Sequence, residues 1–502
     1  MEILIRPWRR EDFPAVRRIL WESWNAAYGS FIPTDDLRTY LEATYQIDSL
    51  SRLYDCALIH GLIAEADGAA VGFARTQYHQ DEKRLYLASL YLLPAFQKKG
   101  IGGRLLKAAE DKARQYGLEE LWVGVMVQNA GAGRWYENKG FRFFREEPFR
   151  MGRTSVPHRI GCKAVAAEEL PAGGDGDCFA VYDGAEREKP LGETAAELMA
   201  SQRKSWPALA EGCAALEAAR IREIGGNGWR VKVQFNPRRI ASTGAKLDPE
   251  SIRRRPCFLC RENRPRQQEA ILYRREYLIL CNPAPIFPMH LTIVHRRHLP
   301  QSIEGTIPDF LRLAADLGPA FTVLYNGPRC GASAPDHLHF QAAPAGLLPA
   351  ETEVLEPGHR IMLSRQDGVS LWRSRGLQRG ILVIEGRDPG AVAAAFNRVS
   401  GALRRLTPSA EEPLLNLLGV CTGDGWRLLL FPRRKLRPAA YDREGEEQLL
   451  VSPGAVDMAG LLITPREKDF LALTGDTVRE IFAEVAFDDA AIDGLSGWRT
   501  SR

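Results

Sequence analysis

Apolar and polar positions change period several times along the chain. After a strand-like opening, MEILIRP, the run DFPAVRRILWESWNAAY repeats apolar residues every three or four positions, which predicts an amphipathic helix. GLIAEADGAAVGFARTQ and RLYLASLYLLP alternate with period two and predict antiparallel strands. A glycine-rich turn follows Pro94, then the helical pattern RLLKAAEDKARQYG and another strand, ELWVGVMV. From Ala164 to Glu186 the chain is rich in Ala, Gly and Asp with little periodicity, which predicts a linker over 166–186. GETAAELMASQRKSWPALAEGCAALEAARIREI regains helical spacing and breaks it at Pro207. It predicts two helices forming a connector over 187–228, with Met199 and Trp206 as packing residues.

From Trp229 the pattern is strand-rich. WRVKVQF alternates; EYLILCNPAPIFPMHLTIVH reads strand, turn, strand; DFLRLAADLG reads as a helix and FTVLYNGP as a strand. DHLHFQ alternates again, so His337, His339 and Gln341 share one side of a strand and Leu338 and Phe340 the other. Residues 379–435 repeat the order strand, helix, strand, turn, strand without the histidine pair. This predicts a degenerate duplication within a domain over 229–502. Its two α+β halves, about 229–350 and 370–480, form one extended sheet or paired sheets.

Composition narrows the setting. The chain has 502 residues, 45% apolar and 26% charged, a soluble globular mixture long enough for two or three domains. The net charge of +4 gives no reason to expect nucleic acid or membrane partners. The charged opening predicts no signal peptide, and no apolar run reaches bilayer length. Nine cysteines in a chain of this length point to the reducing cytoplasm, where paired cysteines more often mean metal than disulfides.

Two places carry chemistry. In the first, Gln97, Gly100, Gly102 and Gly103 lie between a strand and a helix; closely spaced glycines let backbone N–H groups approach a pyrophosphate at a helix N-terminus. A tight turn alone would look the same. In the second, Cys257 and Cys260 form a C-x-x-C loop that can turn both sulfurs toward one tetrahedral ion, with histidines downstream to complete the set. Asn326 and Ser333 sit in turns suited to phosphate oxygens or to ordinary turn chemistry. Arg433, Arg434 and Lys435 leave a strand as a basic cluster able to bind phosphate, with a solvated surface run the alternative for at least one of them.

Over roughly the first 165 residues, Gln97-x-x-Gly100-x-Gly102 with Asn129, Tyr136 and Gly140-Phe141 resembles the GNAT acetyltransferases. The resemblance implies domain 1–165, a mainly antiparallel mixed sheet flanked by helices. It also implies acetyl-coenzyme A held at Gln97, Gly100, Gly102, Gly103 and Asn129, with Tyr136 protonating the departing thiolate. Glu22 and Ser89 are the candidates for general base, and the acceptor is an amine of unknown identity.

From about Trp229 to Arg479, His337-Leu-His339-Phe-Gln341 resembles the H-x-H-x-Q signature of the histidine-triad transferase branch. That branch includes galactose-1-phosphate uridylyltransferase, diadenosine tetraphosphate phosphorylase and GDP-L-galactose phosphorylase. The resemblance implies His339 as nucleophile, Gln341 as a phosphoryl contact, and a structural zinc on Cys257, Cys260, His298 and His337. It implies Asn326 as a substrate-phosphate contact, beside which Ser333, read from its turn, and Arg433, read from its charge, are the further candidates. The whole chain then reads as a bifunctional transferase acting on a nucleotide or nucleotide sugar with phosphate or sugar phosphate as acceptor. Phosphorolysis of a dinucleoside polyphosphate is the alternative reaction, and a non-catalytic nucleotide sensor is the alternative role. A homodimer is compatible with either.

Overall fold

The computed structural model describes residues 2–80, 82–165, 178–185, 189–226, 228–245, 247–406 and 412–493. The chain divides into two compact units, Met1–Leu170 and Pro171–Arg502.

The first unit is one seven-stranded sheet with helices Phe13–Tyr28, Thr34–Tyr45, Ile47–Asp55, Ile101–Gln115 and Ala130–Asn138. Its strands are β1 (Ile3–Pro7), β2 (Ile59–Ala66), β3 (Ala69–His79), β4 (Arg84–Leu92), β5 (Glu120–Met126), β6 (Arg142–Met151) and β7 (Thr154–Ala164), in the order β1-β2-β3-β4-β5-β7-β6. Asp67 and Gly68, at φ 47° and 81°, make the two-residue turn that joins β2 to β3. The helix Ile101–Gln115 buries Ile101, Leu105, Leu106, Ala109 and Ala113, a stripe at three- and four-residue spacing.

Two departures from regular pairing position the site. Strands β4 and β5 run parallel but pair only from Leu85↔Leu121 to Leu87↔Val123; beyond that they part, β4 continuing to Leu92 and β5 to Met126. On the other side of β4, the register with β3 slips between Arg75 and Thr76, whose partners are Ser89 and Leu87, so Ala88 is an extra residue.

The second unit holds an eleven-stranded sheet and a three-stranded one. Its strands are β8 (Cys178–Tyr182), β9 (Arg220–Gly226), β10 (Trp229–Phe235), β11 (Ala270–Tyr273), β12 (Tyr277–Cys281), β13 (Leu291–His295), β14 (Phe321–Asn326), β15 (His339–Pro344), β16 (Arg360–Gln366), β17 (Val369–Ser374), β18 (Leu382–Gly386), β19 (Leu415–Thr422), β20 (Gly425–Pro432) and β21 (Leu461–Thr464). The small sheet has the order β21-β10-β9, with β10 and β21 parallel. The large sheet has the order β16-β17-β18-β20-β19-β14-β15-β13-β12-β11-β8. Outward from the antiparallel pair β14·β19, the two sides match strand for strand: β14-β15-β13-β12-β11 and β19-β20-β18-β17-β16. The helices Ile307–Leu317 and Pro389–Leu406 occupy equivalent places, each between the third and fourth strands of its series in chain order. The duplicated order thus forms a single extended sheet.

Alternate residues of the large sheet feed two cores. Ile293, Val323, Phe340, Ala342, Leu417 and Leu430 pack in one layer with the helices Leu191–Ser205, Pro207–Glu217, Ile307–Leu317 and Pro389–Leu406. Leu324, Ala343, Leu418 and Leu429 face the other layer, with Val231, Val233, Leu462 and the helix Gly475–Val485. Period two on the strands and period 3.6 on the helices are both satisfied, which is why the sequence pattern was readable here.

The boundary region departs from the expectation. Residues 166–177 and 186 of the expected linker lie outside the described residues, but Cys178–Tyr182 is a strand, β8, paired in parallel with β11. The segment 187–228 is no mere connector: Leu191, Ala195, Leu198 and Leu209 are fully buried in the core of the second unit, with Met199 and Trp206 beside them. Its last part, which includes the REI of the helical reading, is strand β9, whose alternation is masked because neither face is fully buried.

Candidate functional site

In the first unit the parted ends of β4 and β5 open a cavity of about 610 Å³. Gln97, Gly100, Gly102, Gly103, Asn129 and Tyr136 all line it. Gly100 has φ 80° and precedes the helix Ile101–Gln115; no side chain caps this end, so its first N–H groups are available to an anion. A Cβ on Gly102 would stand 3.4 Å from the Trp135 ring, so the turn is walled on that side. Asn129 also serves the fold, because its Oδ1 accepts from Ala132 N–H at 3.2 Å and caps the next helix.

Tyr136 is buried, with its ring against Trp135 and Phe141. Burial first, and Tyr28 second, push its phenol above the usual range, so it stays protonated near neutrality and can donate. Ser89 lines the cavity and its Oγ is 3.1 Å from Tyr45 Oη. Glu22 is exposed and absent from the cavity lining, which removes it as a base candidate. The sequence reading missed Tyr28 and Tyr91, whose hydroxyls are 3.3 Å apart at the cavity wall. Their positions in the chain carry no shared pattern.

In the second unit four donors converge from three separate turns. Cys257 and Cys260 lie in a turn closed by Cys260 N–H donating to the Cys257 carbonyl. His298 follows β13 and His337 precedes β15. Cys257 Sγ is 3.3 Å from His337 Nδ1, and Cys260 Sγ is 3.1 Å from His298 Nδ1 and 3.6 Å from His337 Nδ1. All four donor atoms lie within 4.8 Å of one another. A tetrahedral zinc with ordinary bond lengths puts sulfur and nitrogen about 3.6 Å apart. The donor set and spacing therefore fit that ion. His337 Nε2 donates to the His295 carbonyl at 2.8 Å, which leaves Nδ1 as its free donor atom. His298 Nε2 faces Asp336 at 3.6 Å, and Asp336 is paired with Arg255 at 2.9 Å.

His337 closes the turn that starts at Ala334, its N–H donating to the Ala334 carbonyl, so His339 and Gln341 lie on the strand and His337 just ahead of it, not on the strand with them as expected. His339 Nδ1 is 2.8 Å from the His337 carbonyl. A carbonyl only accepts, so Nδ1 carries the proton and Nε2 carries the lone pair. Burial holds the ring neutral, with its pKa lowered to about 4 against the opposing pull of that hydrogen bond. Gln341 Oε1 is 2.7 Å from Nε2 of His290, a fully buried residue of the turn before β13.

Three residues around this strand escaped the sequence reading. Gln301 binds the His339 backbone, His290 binds Gln341, and Arg239 places a guanidinium in the same electrostatic neighbourhood as His290. Arg239 Nη1 donates to the Ala284 carbonyl at 3.0 Å, and among the described residues it forms no ion pair.

The three expected phosphate contacts fare differently. Ser333 is half-buried in the turn, and its carbonyl accepts from Arg255. Asn326 Oδ1 is already occupied, accepting from Asn416 Nδ2 at 2.9 Å and Ala455 N–H at 2.7 Å. Arg433 is excluded from substrate: it is fully buried, and its guanidinium donates to Asn416 Oδ1 and to the carbonyls of Val485, Pro453, Lys435 and Leu436. It ties the end of β20 to the carboxy-terminal segment instead. Lys435 pairs with Glu484.

Comparison with known proteins separates the two units. Residues 13–141 match the acetyltransferase (GNAT) family model. The first unit carries the GNAT fold, and the chain is a transferase of the acyl-transferring class. Residues 198–344 match the model of a domain of unknown function, DUF4922. An N-acetyltransferase from the pepI 3' region of Lactobacillus delbrueckii subsp. lactis is 26% identical over 148 residues, 28% of this chain and 86% of the relative. Streptothricin acetyltransferase of Streptomyces lavendulae is 38% identical over 78 residues, 16% of this chain and 41% of the relative. The crystal structure of yeast Ap4A phosphorylase Apa2 in complex with Ap4A aligns with 60% of this chain and 98% of its own, at 14% identity and a TM-score of 0.43. Among the described residues no helix is long and apolar enough to cross a membrane.

Proposed function

We propose that the chain is a bifunctional transferase, an acetyl-coenzyme A-dependent N-acetyltransferase joined to a nucleotidyltransferase that works through a nucleotidyl-histidine. For the first unit, support comes from the cavity between β4 and β5, lined by the glycine turn before the uncapped helix end and by Tyr136. Those N–H groups hold the cofactor's pyrophosphate, and Tyr136 gives its proton to the coenzyme A thiolate after an amine has taken the acetyl group. Tyr136→Phe lowers kcat for acetyl transfer to a panel of amines while the thermal shift given by acetyl-coenzyme A persists. An unchanged kcat removes Tyr136 from the reaction.

For the second unit, the observation that carries the reading is the hydrogen bond from His339 Nδ1 to the His337 carbonyl, which leaves Nε2 as a lone-pair nucleophile beside Gln341. Nε2 attacks the α-phosphorus of a nucleotide donor; a P–N bond forms, and the P–O bond to the departing phosphate or sugar phosphate breaks, its electron pair leaving on oxygen. An oxygen of the acceptor phosphate then attacks the same phosphorus, and the P–N electron pair returns to Nε2. The proton stays on Nδ1 throughout, donated to the His337 carbonyl. Gln341 hydrogen-bonds the transferred phosphoryl group and, unlike an imidazolium, supplies no proton to activate water. Zinc on Cys257, Cys260, His298 and His337 fixes the turn that carries this carbonyl. The donor is a nucleotide sugar, with a dinucleoside polyphosphate as the alternative. Incubation with UDP-glucose, GDP-mannose and diadenosine tetraphosphate in turn, followed by intact-protein mass measurement, tests this. An acid-labile gain of one nucleoside monophosphate on the His339 peptide is expected in wild type and absent in His339→Ala. No adduct with any donor, or an adduct elsewhere, overturns the reading.

A further inference from the structure

We infer that His290 is a positioning residue that donates its Nε2 proton to Gln341 Oε1, fixing the Gln341 amide with its nitrogen toward the phosphoryl group transferred at His339. This deepens the nucleotidyl-transfer reading and rests on it. The two ends of the His290 ring have different partners. Nδ1 faces the Ile286 N–H at 3.4 Å, and a backbone N–H can only donate. Nδ1 is therefore the acceptor, and the ring's proton sits on Nε2. The partner of Nε2, 2.7 Å away, must accept, which assigns it as the amide oxygen of Gln341. The amide nitrogen then points away from His290.

The ring cannot easily turn or charge. His290 has no exposed surface, and its own carbonyl accepts from Asn282 N–H at 2.9 Å. Burial first, and the Arg239 guanidinium second, hold it neutral. A charged ring would donate from both nitrogens and lose the Ile286 contact. Gln341 itself is fixed in register by the pairing Thr292↔Gln341, two residues from Val294↔His339, so both side chains emerge on the same side of β15. A free glutamine amide presents oxygen or nitrogen with similar ease. An oxygen turned toward a phosphoryl group repels it, whereas the NH₂ group stabilises the charge that builds on its oxygens. His290 removes that choice before substrate arrives.

The test compares His290→Phe, which fills the space without a donor, with His290→Gln, whose amide nitrogen can replace Nε2–H. The donor is whichever of UDP-glucose, GDP-mannose and diadenosine tetraphosphate labels wild type best. In His290→Phe, the rate of adduct formation on His339 and kcat fall about tenfold to a hundredfold, less than expected from deleting the amide donor, with KM nearly unchanged. His290→Gln recovers most of the rate. Metal content and unfolding midpoint, measured on the same samples, report the structural cost. Wild-type rates in His290→Phe overturn the inference, as do equal losses in both variants that follow their loss of stability. No adduct in wild type overturns the nucleotidyl-transfer reading and this inference with it; the other outcomes overturn this inference alone.

Discussion

Gln301 holds both backbone polar atoms of His339: its Oε1 accepts the His339 N–H at 2.8 Å, and its Nε2 donates to the His339 carbonyl at 3.0 Å. The same Nε2 donates to the Asn326 carbonyl at 2.9 Å. His339 pairs with Val294 of β13, but pairing of β14 with β15 stops at Leu324↔Gln341, so a single buried amide replaces the partner that His339 lacks on the β14 side.

Gln301→Ala leaves one N–H and two carbonyls unpaired in the interior. The expected loss is about 3 kcal/mol for the second unit, read from the midpoint of chemical denaturation. The His339 adduct forms more slowly in the protein that remains folded. An unchanged midpoint shows that water replaces the clamp.

Cys257→Ser removes a thiolate from a site whose donors come from three turns. Wild type is expected to carry one zinc per chain and the variant to lose it, read by metal analysis of protein purified without chelator, with a lower melting temperature for the second unit. Strong chelation of wild type produces the same shift. Full zinc content in the variant means that the ligand set is different.

Glu412 gives a pH dependence. Its carboxylate accepts from Tyr325 Oη at 2.5 Å and from Ile303 N–H at 2.8 Å, but burial pushes its pKa from 4.5 up to about 7. The folded chain holds this proton more tightly than the unfolded chain, so its contribution is complete below pH 4.5 and is lost as pH rises through about 7. The full difference is about 3 kcal/mol. In Glu412→Gln the fall in stability between about pH 5 and pH 8 shrinks by up to that amount. Parallel stability curves for wild type and variant remove Glu412 as the source.

Where the chain is cut decides whether the second unit survives. A fragment of residues 1–170 is expected to fold alone, with acetyl-coenzyme A raising its melting temperature, and residues 171–502 are expected to fold as well. A fragment beginning at residue 187 lacks β8, uncovers the edge of β11, and loses Phe179 and Tyr182 from the helix-side core. Lower solubility and a lower unfolding midpoint than the 171–502 fragment are expected; equal behaviour makes β8 dispensable.

Local spacing made much of this legible. The glycine turn before Ile101–Gln115 and the C-x-x-C pair are each contained in a few residues, and the structure places them at the cavity and in the Cys/His cluster; of the alternating trio, His339 and Gln341 lie on β15 and His337 just ahead of it. The repeat of strand and helix order was readable because both helices keep the same apolar face toward the sheet. The misses share a different cause. Gln301 reaches His339 across 38 residues and His290 reaches Gln341 across 51, so no period in the chain announces either contact. Arg433 was misread because a run of basic residues states charge and says nothing of burial. β8 was missed because its five residues follow a stretch without periodicity.

The seam between β14 and β19 has a bearing on counting. Each strand would be an open edge if its half stood alone, and each is closed by the other. The large sheet of the second unit is therefore two halves of matching strand order in one polypeptide, with the edges through which separate halves would associate already used up. Only one member of the pair retains the histidine strand, and β20 carries Leu, Phe and Pro in its place. On the proposed nucleotidyl-histidine reading, labelling is therefore expected to saturate at one nucleotide per polypeptide, whatever larger assembly the chain enters.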